Sequence, residues 1–166
     1  YAFAVNTSAE SAELPALEDP PALRMYDGNP PVTYVTPEDY WASAEGQAHT
    51  RAVAQTGLFN FSMWSWCGQQ SENSSETVDQ YLDTLNDFEQ EFPEMRFIYM
   101  TGHTDGGGET LAANNQRVRD YVIDQHKVLF DFADIESWDL DGKYHANASD
   151  ACNWCENWCS DHPSAC

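Results

Sequence analysis

Side chains able to do acid–base, nucleophilic or ligand chemistry gather at four places along the chain. Asn6-Thr7-Ser8 follows the apolar run YAFAV, and Cys67-Gly68-Gln69-Gln70 follows FNFSMWSW. Gly102-His103-Thr104-Asp105-Gly106 follows RFIYMT, and Asp134 and Glu136 follow KVLFDF. If the apolar runs are parallel strands, these polar groups sit outside strand carboxyl ends, where open α/β sheets bind their ligands. Two of the four are glycine-bearing, which lets backbone approach a ligand. His103 and Asp105 share one such loop and are candidate binding residues; a loop histidine bonded to neighbouring backbone is the competing role for His103.

Two further groups carry chemistry. The tail CNWCENWCSDHPSAC holds Cys152, Cys155, Cys159 and Cys166, with His162 among them, while Cys67 stands alone. The spacing matches neither paired zinc motifs nor haem attachment, so disulfides are favoured over metal. With five cysteines one is left over, and a bridge from Cys67 to the tail would staple the tail to the body. Trp154 and Trp158 lie four apart, as on one face of a helix, and Trp64 and Trp66 share a strand face. They would form either a core between tail and sheet or a platform for stacking sugar rings. Asp131, Asp134, Glu136, Asp139 and Asp141 supply oxygen ligands for calcium, but without EF-hand spacing.

The elements that must position these groups follow from periodicity. Strands are expected at Ala2–Val5, Val32–Val35, Leu58–Trp66, Arg96–Thr101 and Lys127–Phe132. A helix is expected from Thr36-Pro37-Glu38-Asp39, a capped start with proline at its first position, to Gly57. Between Thr77 and Phe92 the residues Val78, Tyr81, Leu82, Leu85, Phe88 and Phe92 recur on one helical face, and a third helix should span Leu111–Gln125 with Val118, Tyr121 and Val122 inward. A short helix near Asn153–Trp158 is compatible with the tail. The proline-bearing stretch Ala9–Pro31 reads as loop. Strands alternating with helices give βαβ units, hence a parallel sheet. One domain, residues 1–145, with a disulfide-rich tail, 146–166, accounts for the pattern.

Composition narrows the setting. Among 166 residues, 7 basic and 28 acidic side chains give a net charge of −21, which disfavours nucleic-acid phosphates and anionic membrane surfaces as partners. No apolar run approaches the roughly 18–20 residues of a membrane span. Sequons begin at Asn6, Asn60, Asn73 and Asn147; Asn6, Asn73 and Asn147 are candidate glycosylation sites, and Asn60 falls in a strand expected to be buried. The chain starts at Tyr1 rather than Met, as a processed product or a fragment would. Acidity, sequons and cysteines together point to an extracellular, secreted protein.

The order FNFSMWSWCGQQ, amphipathic helix, RFIYMTGHTDG, NNQRVRDYV helix and KVLFDFADIESWD resembles the SGNH (GDSL-type) hydrolases, from about Leu58 to Asp139. The resemblance implies a flavodoxin-like three-layer sandwich with a five-stranded parallel sheet, and hydrolysis of esters, with acyl groups on extracellular glycans as a substrate class. It places Ser8 at the nucleophile's position and Gly68 and Gln69 at the oxyanion donors'. The family's Gly-Asp-Ser block is missing, and its Asp-x-x-His has only substitutes: Asp141 with His145, which is preferred as the base, or Asp161 with His162. GHTDGGGETLAANNQRVRDYV also resembles the outer-membrane-protein-A-like peptidoglycan-binding module, which would give Asp105 and Arg117 or Arg119 a binding role. The competing expectation is a non-catalytic protein of the same fold. Its apolar YAFAV strand would add to a neighbour's sheet and build a homo-oligomer or filament.

Overall fold

The computed structural model describes residues 2–6, 22–26, 35–64, 66–105 and 108–166. The chain forms two compact units, Tyr1–His49 and Thr50–Cys166. In the first, β1 (Ala2–Asn6) pairs in parallel with β2 (Ala22–Tyr26), Ala2 opposite Ala22 and Asn6 opposite Tyr26. β2 falls within the stretch expected to be loop: Pro20 and Pro21 precede the strand rather than interrupt it, a position where proline costs no ladder bond. β1 is therefore not a free strand; one of its edges is used within the chain.

The expected helix from Thr36 to Gly57 is two helices, α1 (Pro37–Tyr40) and α2 (Ala44–Gln55). Asp39 Oδ2 accepts from the Thr36 N–H and hydroxyl at 3.0 and 2.7 Å, closing the start of α1 and lowering the Asp39 pKa. Ser43 restarts the helix, its hydroxyl accepting from Gly46 N–H at 3.0 Å. Gly46 is needed there, since a Cβ would sit 2.1 Å from the Glu38 carbonyl oxygen.

The second unit carries a three-stranded parallel sheet in the order β3 (Phe61–Met63), β4 (Arg96–Met100), β5 (Val128–Phe130). α3 (Ser75–Glu91) joins β3 to β4 and α4 (Glu109–Asp124) joins β4 to β5; the two helices pack on each other and on the sheet. Ser74 caps α3 through the Thr77 N–H. Val78, Tyr81, Leu82, Leu85 and Phe88 of α3 and Leu111, Val118 and Val122 of α4 are buried, as the helical spacing requires. They cover Phe97 and Tyr99, with ring centroids 5.3 Å apart for Phe88–Phe97 and 6.2 Å for Tyr81–Tyr99. Burial pushes the Tyr99 phenol well above its ordinary pKa. Trp64 and Trp66 are core residues, edge to face at 4.9 Å, with Trp66 also 4.9 Å from Tyr81.

The sheet therefore differs from the five strands expected. Three strands share one sheet, β1 and β2 form a separate pair, and Val32–Tyr34 lies outside the described residues. The central strand β4 is covered, with Phe97, Tyr99 and Met100 buried, whereas its neighbours leave apolar side chains exposed: Phe61 and Met63 of β3 at 59% and 47%, Val128 and Phe130 of β5 at 41% and 37%. Asn60, expected to be buried, is exposed just before β3. Beyond β5, α5 (Phe132–Ser137) and the tail helix α6 (Cys155–Asp161) complete the unit.

Candidate active site

The carboxyl ends of β3, β4 and β5 are tied together by side chains of the helices that follow them. After β3 the chain makes a 3₁₀ turn, Gly68–Ser71. Asn114 anchors it, donating through Nδ2 to the Gln70 and Asn73 carbonyls at 2.9 Å each. The neighbouring Asn115 grips the backbone after β4, accepting from Gly102 N–H at 2.8 Å and donating to its carbonyl at 3.1 Å. A Cβ on Gly102 would lie 2.6 Å from Gln70 Cγ, so glycine lets the two loops meet. Gln70 is fully buried, and its Nε2 has no hydrogen-bond partner among the described residues.

After β5, Asp131 accepts two bonds from Arg119, at 2.6 and 2.8 Å, and one from the Thr101 hydroxyl at 3.1 Å. Burial alone would raise the Asp131 pKa, but these bonds overcome it and hold the carboxyl below its usual range. Glu136 accepts from both the N–H and the hydroxyl of Thr104, at 2.7 and 2.8 Å.

His103 stands in this frame with only 11% of its side chain exposed. Its Nδ1 lies 2.9 Å from the Thr104 carbonyl oxygen, which can only accept, so Nδ1 carries the proton and Nε2 is left as a base. Nε2 is the group nearest the face of Gly68, 3.9 Å from where a Cβ would stand. Asp150 Oδ2 is 3.8 Å from Nδ1, close enough to stabilise the imidazolium once Nε2 is protonated. The tail holds Asp150 there: its N–H donates to the Thr104 carbonyl at 2.9 Å, and Ser149 bridges Asp105.

Of the residues singled out in the sequence, Gly68, Gln69, His103 and Asp105 meet at these loops, while Ser8 lies outside the described residues. The side-chain amide oxygen of Gln69, Oε1, accepts from Cys67 N–H at 2.7 Å, which leaves its NH₂ to donate elsewhere. Asp105 accepts from the Ser71 hydroxyl. Arg117 pairs with Asp79 and Arg119 with Asp131, so both arginines of the peptidoglycan-module resemblance are committed to helix packing.

His145 has a different setting. Its Nε2 donates to Asp139 Oδ2 at 2.9 Å, not to Asp141, and its ring stacks on Trp154 with centroids 4.9 Å apart. That bond, followed by the Lys143 N–H, holds the Asp139 pKa below its ordinary value. His145 lines a cleft with Trp158 and His162, and neither Gly68, Gln69 nor His103 lines it.

The cysteine expectation is corrected. The tail closes on itself through Cys152–Cys155 and Cys159–Cys166, with Cα separations of 5.3 and 5.8 Å, and Cys67 is a free, exposed thiol. Short local loops bring the tail cysteines together without recruiting Cys67 from a distant strand end. Among the described residues no three His, Cys, Asp or Glu groups converge to hold a metal. The acids considered for calcium each serve another partner, Asp134 taking the Trp138 indole N–H and Asp141 that of Trp158. Of the sequons, Asn147 is exposed, Asn73 is half-buried beneath Asn114, and the side chain of Asn6 lies outside the described residues.

Four residues that order these settings were not legible in these roles from the sequence: Asp139, Asp150, Asn114 and Asn115. Asp139 was hidden because Asp141 is nearer to His145 in sequence, and Asp150 because it belongs to the tail. Asn114-Asn115 did leave a signal: two asparagines in a helix interior are costly unless their amides bond outside the helix. No protein-family model matches the chain, and no curated protein or solved structure is significantly similar to it.

Proposed function

We propose that the chain is a secreted SGNH-like hydrolase that cleaves esters, with acyl groups on extracellular glycans as its substrate class and His103, rather than His145, as its base. The observation that carries this reading is the orientation of His103: Nδ1 fixed by a carbonyl, Nε2 free beside Gly68, and a carboxylate within 3.8 Å. The strand orders support it as well, since both sheets are parallel and β1-β2 and β3-β4-β5 are orders that a flavodoxin-like sheet contains. Bridged cysteines and the lack of a membrane-spanning helix among the described residues are compatible with secretion.

In this mechanism a serine hydroxyl, assigned to Ser8 from the order of the sequence, attacks the ester carbonyl. His103 Nε2 takes its proton and returns it to the departing alcohol. The Gly68 N–H and the Gln69 amide hold the oxyanion, and water then releases the acid by the reverse path. The test is hydrolysis of p-nitrophenyl acetate. His103→Gln should lower kcat/KM by about 10²- to 10⁴-fold without lowering the melting temperature, while His145→Gln leaves it within about threefold. Loss of activity in His145→Gln alone would refute the assignment.

The exposed apolar face of Phe61, Met63, Val128 and Phe130 favours a second reading, a binding or self-assembling protein of the same fold. Sedimentation of the purified chain as a polymer without esterase activity would favour that reading.

A further inference from the structure

The cleft that His145 lines, about 450 Å³, is not used by the hydrolytic reading and does not depend on it. Its floor is α6. Trp154, Asn157, Trp158 and Asp161 recur at i, i+3, i+4 and i+7, one face of the helix, and all four line the cleft. The opposite wall is the turn bearing Asp139, Asp141, Lys143 and His145.

Both indoles are hydrogen-bonded. Trp154 donates to the Glu136 carbonyl at 3.0 Å and Trp158 to Asp141 Oδ2 at 2.7 Å. Each carries a stacked imidazole, His145 on Trp154 and His162 on Trp158, with ring planes 12° and 14° apart. His162 Nδ1 donates to the Trp158 carbonyl at 2.9 Å, and the two disulfides fix both ends of the helix. Amid these committed groups, the side chains of Asn157 and Asp161 have no partner among the described residues.

We propose that this cleft binds a neutral oligosaccharide. Hydrogen-bonded aromatic rings beside unpartnered amide and carboxylate groups suit a pyranose, whose C–H face contacts aromatic carbon while its vicinal hydroxyls donate to the acid and exchange bonds with the amide. The volume lies within the range of small-ligand sites. Three aspartates against one lysine disfavour anionic sugars and nucleotides, and no metal-holding group of three ligands is present among the described residues. Because the ring positions are set before binding, little ordering opposes it.

Tryptophan fluorescence and calorimetric titration with cellotetraose and chitotetraose test this, on disulfide-intact full chain made without N-glycosylation, since Asn147 lines the cleft. At least one sugar should saturate with a Kd of about 1 mM or tighter. Asn157→Ala and Asp161→Asn, both at exposed positions, should each weaken it about tenfold with unchanged melting temperatures. No saturation by either sugar at about ten times that concentration, or unchanged binding in both variants, would overturn the proposal. Equal affinity for a glucuronate oligomer would overturn its neutral-sugar assignment.

Discussion

Single side chains decide which groups at the strand ends are free to react. His103 donates one nitrogen to its own loop and keeps the other uncommitted, so its backbone bond is compatible with the role as base proposed for it. Asn115 does the corresponding work on the backbone, and it is 2% exposed. Asn115→Ala would strip Gly102 of two bonds and leave its buried N–H and carbonyl unsatisfied. Chemical denaturation should show a loss of about 2–3 kcal/mol, and a loss below about 0.5 kcal/mol would contradict this role. The sequence made His103 and Asp105 legible because glycines and a preceding apolar run mark the end of a strand. It misassigned the acid beside His145, because a turn brings Asp139 to the ring while sequence distance favours Asp141.

At the scale of elements, periodicity identified α3, α4, β4 and β5 to within a few residues, since each has one strongly apolar face. It failed where a short-range signal competed. Ser43 and Gly46 split the helix after Thr36, and the prolines around β2 masked an apolar strand. α5 was missed because its start coincides with the end of an apolar run, where Asp131 caps it through the Asp134 N–H. The Arg119–Asp131 pair ties α4 to this junction and makes the unit's stability depend on pH. Asp131 has a folded pKa below its unfolded value, so its contribution is complete above about pH 4 and is lost as pH falls through the depressed value. Asp131→Asn should cost about 2 kcal/mol at pH 7 and progressively less below pH 4, read from melting curves. A cost independent of pH would mean that packing, not charge, is what the residue supplies.

For the whole molecule, the fold class was legible in the alternation of strand and helix, but strand number was not. Strand number depends on which edges pair, a long-range property that local pattern does not contain. Disulfide pairing was illegible for the same reason, as five cysteines permit many connectivities. The arrangement observed predicts that the native, unreduced chain takes up one equivalent of maleimide, at Cys67, and five after reduction and unfolding. A native chain that takes up none would place Cys67 in a bridge. The proposed ester hydrolysis, with His103 as base and a serine as nucleophile, is open to fluorophosphonate labelling of the folded chain with the modified residue mapped by mass spectrometry. Label is expected on Ser8 and should be abolished in His103→Gln at unchanged melting temperature. Absence of label from a demonstrably folded chain, or labelling that His103→Gln leaves intact, would contradict it.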